Sequence, residues 1–233
     1  TIELAAVVVD SFDSEIDFSL YDTFIIIHAG AGEETDILGN SPENIYSNFI
    51  GEDDFQQAFE NGELTFPFLP SDDFSPDTGI NQVLILPECE YQDTIGDFGG
   101  FFGSLGVYCF EVGLRLGMLS LSDFTPSGSP DSQGIGEFGL MGYGLFVGMG
   151  YIPPHPCAFN KMLMGWLDPL DIDPLVDATH TITPCEMTGD PTAALRIGIS
   201  GQEYWLLAYR LQDPDGNRIF SFPGDLNGNN IPD

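Results

Sequence analysis

Residues 110 to 117 read Phe-Glu-Val-Gly-Leu-Arg-Leu-Gly, and the choice of fold turns on this octapeptide. Its spacing predicts a helix. Phe110 and Leu114 stand four apart and share one helical face, while Glu111 and Arg115 stand four apart on a neighbouring stripe. An apolar pair at this spacing is, by itself, ordinary core. Two imidazoles at the same two positions would instead grip a zinc ion while the intervening carboxylate activated its water, in the frame His-Glu-x-x-His-x-x-Gly. Here both ligand positions are hydrocarbon, and only Glu111 and Gly117 remain of that frame.

The flanks carry further landmarks in order. Glu15-Ile-Asp-Phe-Ser-Leu-Tyr-Asp22 runs into Thr23-Phe-Ile-Ile-Ile-His-Ala-Gly-Ala-Gly-Glu-Glu34. Gly136-Glu-Phe-Gly-Leu-Met-Gly-Tyr-Gly144 follows the octapeptide, then His155-Pro-Cys-Ala-Phe-Asn-Lys-Met-Leu-Met-Gly-Trp-Leu-Asp-Pro169 and Gly201-Gln-Glu-Tyr-Trp-Leu-Leu-Ala-Tyr-Arg210. With these segments the chain resembles, nearly end to end, the catalytic domain of the immune inhibitor A family of secreted zinc metallopeptidases. The resemblance implies an α/β, metzincin-like domain: a twisted mixed sheet, a central active-site helix, and a methionine turn with Met141 at its methionine position. It assigns residues 1–222 to that domain and leaves 223–233 as a separate C-terminal segment.

The same resemblance implies that the chemistry is gone. The family's helix continues to an acidic third ligand three residues past the motif's glycine, and that position here is Ser120. Phe110, Leu114 and Ser120 thus stand where three zinc ligands are expected. The histidines that remain, His28, His155 and His180, are far apart in sequence. A catalytic zinc site needs three protein ligands and an open position for water, and carboxylates without imidazole, such as Asp123, make a poor zinc cage. The expectation is a pseudopeptidase without zinc, in which Phe110 and Leu114 plug the former pocket and Met141 packs beneath them. For Glu111 two readings stand: a relic of the general base or, preferred, a helix-surface partner of Arg115.

The chain has 233 residues, enough for one large domain with a substantial core. Hydrophobic residues make up 42% of it, so it is globular despite its charge. That charge is extreme: 37 acidic residues against five basic ones, net −32, with Lys161 the single lysine. Such a surface argues against nucleic acid and anionic membranes as partners. Its self-repulsion calls for high salt or bound cations. No apolar run reaches the length of a membrane span, so no membrane insertion is expected. The chain opens at Thr1 almost directly into an apolar stretch, as an exported protein does once its leader is removed, which points to a secreted, extracellular or cell-surface location.

Cys89, Cys109, Cys157 and Cys185 are widely spaced and form no Cys-x-x-Cys pair. In a secreted domain their even count suggests two disulfides, with Cys89–Cys109 and Cys157–Cys185 preferred; four buried free thiols is the other reading. The C-terminal stretch Asp225-Leu-Asn-Gly-Asn-Asn-Ile-Pro-Asp233 places oxygen ligands at Asp225, Asn227, Asn229 and Asp233, with the Ile231 carbonyl between. That is the ligand rhythm of a calcium loop. Asp213, Asp215 and Asn217 repeat the alternation in shorter form. Acidic turns in which Asn and Gly serve backbone geometry are the competing reading.

By pattern, residues 2–9, 23–28, 82–87, 179–183, 193–199 and 203–211 are expected as strands. Residues 43–50, 54–61, 99–119 and 159–166 are expected as helices. Two function classes follow. The preferred one is a non-catalytic extracellular structural protein on a pseudopeptidase scaffold, stabilised by calcium and self-assembling as a homo-oligomer or homopolymer into a filament, tube or surface layer. The exposed aromatics of Phe55 to Phe74 and Phe98 to Phe102 would be its contacts. The alternatives are a secreted metal-dependent endopeptidase with an atypical site built on Glu111 and Asp123, or a peptide-binding pseudoenzyme.

Overall fold

The computed structural model describes residues 1–36, 38–90, 94–95, 98–99, 102–122, 134–185 and 193–211. It is a mixed α/β protein with small mixed sheets, divided into two compact units. One unit is Thr1–Gly117 with Met149–Ile152; the other is Met118–Gly148 with Pro153–Asp233.

The first unit is organised by a three-stranded sheet in the order β1 (Ile25–Ala31), β3 (Val83–Cys89), β2 (Asn48–Ile50). β1 runs parallel to β3 and β2 antiparallel to it. Val83, Leu84, Ile85 and Leu86 are all buried, the continuous apolar run expected of a central strand covered on both faces. On one face Ile50, Val83 and Ile85 pack with Ala5 and Val9 of α1 (Ile2–Phe12) and Phe55 of α2 (Glu52–Glu60). On the other face, α3 (Leu105–Arg115) lies across β2 and β3.

Several expectations change here. Residues 2–9 form helix, not strand: an unbroken apolar run fits either period, and burial of Ala5 and Val9, four apart, with Val7 exposed, selects the helix. Residues 43–50 form no helix, because Asn48–Ile50 completes the sheet by pairing with Val83–Ile85. The helix expected over 99–119 is shorter. Thr94–Ile95 (β4) and Phe98–Gly99 (β5) pair ahead of it, and it ends at Arg115, two residues before Gly117, which takes a left-handed φ of 97°. Its start is held by the returning segment: Gly103 N–H donates to Met149 O at 2.7 Å and Gly106 N–H to Gly150 O at 2.9 Å.

In the second unit β6 (Leu170–Ile172), β7 (Ala194–Gly198) and β8 (Tyr204–Ala208) form a sheet in that order. Ala194 and Leu206 pack with Ala158 of α4 (Ala158–Leu163), Leu167 and Cys185. On the same face as Leu206, Arg196 binds both oxygens of Asp171 at 2.6 and 2.7 Å and lies 5.9 Å from the Tyr204 ring centre. The register puts Leu170, Leu195 and Leu207 in one row and Ile172, Ile197 and Trp205 in the next, so the opposite face is wholly apolar. β6 is a strand the sequence pattern missed. Residues 179–183 are not a strand, and only Pro184 bridges to Tyr209.

Candidate functional site

Helix α3 carries Phe110, Glu111, Leu114 and Arg115 of the octapeptide. Phe110 and Leu114 are half-buried on α3 of the first unit. Ser120 and Met141 belong to the second unit, where Leu121 N–H donates to Met141 O at 2.7 Å and Met141 is buried. Phe110 and Leu114 offer no donor atom to a metal, so the residues present do not fit a zinc ion. Among the described residues no three His, Cys, Asp or Glu side chains are grouped so as to hold a metal. Asp123 and Asp213, Asp215, Asn217, Asp225, Asn227, Asn229, Ile231 and Asp233 lie outside the described residues, as does the 223–233 segment.

Glu111 is not the surface partner of Arg115. The side of α3 that meets the sheet carries Val107 and Glu111, so Glu111 is buried and accepts the backbone N–H of Phe49 in β2. Arg115 reaches along the flank instead, and its Nη2 donates to Asp22 O at 2.7 Å. Burial outweighs the Phe49 hydrogen bond and, with the charge of Glu34 nearby, raises the Glu111 carboxyl to about 7. Its Oε2 has no hydrogen-bond partner.

Glu34 links Glu111 to a second buried acid that sequence reasoning did not single out. The turn Glu33–Thr35 after β1 brings Glu34 and Thr35 to Glu90, the residue that follows β3 and is only 1% exposed. Thr35 Oγ1 donates to Glu90 Oε2 at 3.2 Å, and Ser47 N–H donates to the Glu34 carboxylate at 3.2 Å. The convergence depends on Gly32, where a Cβ would stand 2.6 Å from Glu34 Oε2 and 2.9 Å from Glu90 Oε2. Burial first, and then the charge of Glu34, raises the Glu90 carboxyl to about 8. On α3, Tyr108 donates its hydroxyl to Pro87 O, and burial together with Glu90 and Cys89 raises its pKa. The arrangement can hold a proton at neutral pH where an isolated carboxyl cannot. One of 37 acids gives no local sign of this; the only hint was its place at the end of an apolar strand.

All four cysteines are free thiols, so the expected disulfides Cys89–Cys109 and Cys157–Cys185 are not formed in this structure. Cys89 and Cys109 are half-buried, Cys157 and Cys185 buried, and burial raises the Cys109 thiol. Cys185 serves packing, and its carbonyl accepts the Lys161 ammonium at 2.6 Å.

Compared with known proteins, the chain matches no family model, no curated protein and no solved structure at a significant level. The likeness to immune inhibitor A peptidases therefore rests on the quoted motifs alone.

Proposed function

We propose that the chain is a non-catalytic extracellular structural protein, a metzincin-like pseudopeptidase scaffold that binds calcium through its C-terminal loop and assembles through its surfaces. The observation that carries this reading is the state of α3. The two positions that would bear imidazoles hold half-buried hydrocarbon, and the one acid of the motif is turned into the protein and bonded to β2. A water-activating base must reach solvent and a metal; Glu111 is occupied in packing.

Assembly is supported by the uncovered apolar surface in a chain otherwise rich in acid. Trp205 is 65% exposed and Leu207 42%, on the apolar face of the second sheet, and Ile27 on the edge strand β1 is 60% exposed. Exposed apolar side chains grouped on one sheet face, as Trp205 and Leu207 are, mark contact sites. Of the expected aromatic contacts, Phe59 and Phe66 are exposed but Phe55 is fully buried in the core. Among the described residues, no helix is long and apolar enough to cross a membrane.

Sedimentation velocity across a calcium titration, with casein hydrolysis and metal analysis on the same preparation, tests the proposal. Calcium-dependent growth in mass without proteolysis is expected. Chelator-sensitive proteolysis with bound zinc would replace this reading by the peptidase alternative, and a stable monomer that captures peptides would replace it by the binding module.

A further inference from the structure

Glu90 is surrounded by groups that make its proton structural. From the turn Glu33–Thr35 it meets the Glu34 carboxyl and the Thr35 hydroxyl. From α3 it meets Tyr108, while Glu111 acts on Glu34 from the same helix. Earlier on β3, Glu88 is engaged with β1, its Oε1 accepting Gly30 N–H at 2.9 Å, and Cys89 acts on Tyr108. Glu33 Oε2, Glu90 Oε1 and Glu111 Oε2 are buried without hydrogen-bond partners. No lysine, arginine or histidine figures among the groups that set the state of Glu90. A carboxyl buried among other carboxyls with no cation keeps its proton, because ionising it would leave a second uncompensated charge in a low-dielectric space. The Glu34 carboxylate beside it is the acceptor open to that proton.

We propose that Glu34 and Glu90 form a proton latch: the shared proton fastens the Glu33–Thr35 turn to the end of β3, and its loss to bulk water releases that turn. The parts that would move are given by the bonds that depend on the closed position. They are Thr35 Oγ1 to Glu90, Ser47 N–H to Glu34, Gly32 N–H to Cys89 O at 3.3 Å and Glu33 N–H to Ile45 O at 3.2 Å. Opening therefore frees both the turn and the segment leading into β2. The latch is independent of the assembly proposed above and would operate in a monomer.

Amide hydrogen exchange at Gly32, Glu33 and Ser47 tests it, in the full chain and in Glu90→Gln, whose amide still donates but cannot ionise. Opening lets Glu90 return to an ordinary carboxyl, so opening is linked to release of one proton. Between pH 4.5 and about 8 the wild type should gain a factor of about ten in exchange per pH unit beyond the intrinsic base-catalysed rise. The Gln variant should show the intrinsic rise alone. Parallel profiles in the two proteins would overturn the latch. Should Glu90→Gln fail to fold, infrared titration of the wild type decides: a protonated-carboxyl band should persist at neutral pH, with its midpoint lowered in Glu34→Gln. Absence of the band, or an unmoved midpoint, would overturn the proposal equally.

Discussion

Asn160 grips the backbone of Leu119 from both sides: its Oδ1 accepts Leu119 N–H at 3.0 Å and its Nδ2 donates to Leu119 O at 3.1 Å. The amide thus acts like a short stretch of neighbouring strand, and Asn160 is fully buried. It lies beside the buried Lys161 on α4, and with the Leu121 N–H to Met141 O bond it positions the segment that follows Gly117. Asn160→Ala would leave a donor and an acceptor unsatisfied in a buried place. A loss of about 2 kcal/mol in unfolding free energy is expected by denaturant titration. Asn160→Asp keeps the acceptor but sets a buried carboxylate oxygen against Leu119 O, and should cost at least as much at neutral pH.

Stability should decline as pH rises through the neutral range. Glu90 and Glu111 have folded pKa values raised from 4.5 to about 8 and about 7. Below 4.5 both are protonated in folded and unfolded chains, and neither disfavours folding. Between 4.5 and the folded values only the unfolded chain releases these protons, so stability falls with rising pH and levels off above about 8. The melting temperature at pH 5 should exceed that at pH 8, and Glu111→Gln should remove part of the slope. A melting temperature that rises over this range would contradict the burial of both acids.

Zinc should bind only when lone pairs are restored to α3. Melting curves of the unmodified protein should be indifferent to zinc at matched ionic strength. Phe110→His with Leu114→His puts two imidazoles on one face, and a zinc-dependent rise in melting temperature is expected in that variant alone. The variant should be less stable than the parent without metal, because polar rings replace half-buried hydrocarbon.

Calcium should stabilise the chain if Asp225, Asn227, Asn229, Ile231 and Asp233 ligate it. A ligand selective for the folded state adds about 2.7 kcal/mol at about a hundredfold excess over Kd. Several degrees should separate melting curves in calcium and in chelator, and Asp225→Ala with Asp233→Ala should close the gap.

Assembly through the apolar face of the second sheet should be interrupted by charge. Trp205→Glu with Leu207→Glu adds two more acids to a −32 chain on an exposed apolar sheet face. Calcium-dependent sedimentation should revert to a single small species while the circular dichroism spectrum is kept. Unchanged assembly would place the contact elsewhere.

Much of this was legible locally. The run Val83–Leu86 announces a strand covered on both faces, because four successive apolar side chains in an extended segment must point both ways into the protein. Glu52, Asp53 and Asp54 at the start of α2, with Asp54 Oδ2 accepting Gly51 N–H at 2.8 Å, mark a helix start by their charge and their cap. Phe110 and Leu114 have no side-chain lone pair to offer, whatever the fold around them.

Elsewhere the local pattern pointed one way and packing decided the other. Ile2 to Val9 suits strand or helix, and contact of Ala5 and Val9 with the sheet decided for helix. Asn48–Ile50 was drawn into β2 by backbone partners in β3, a long-range term that no local window contains. Glu111 and Arg115 have the spacing of a surface pair, but the sheet claims one and the Asp22 carbonyl the other. The sequence by itself determined the charge, the hydrocarbon at positions 110 and 114 and the central strand, since those depend on residue type and local period. Only the tertiary structure decided which acids are buried together, because the proton on Glu90 is set by desolvation and by Glu34, and both exist only after the turn and the strand have met.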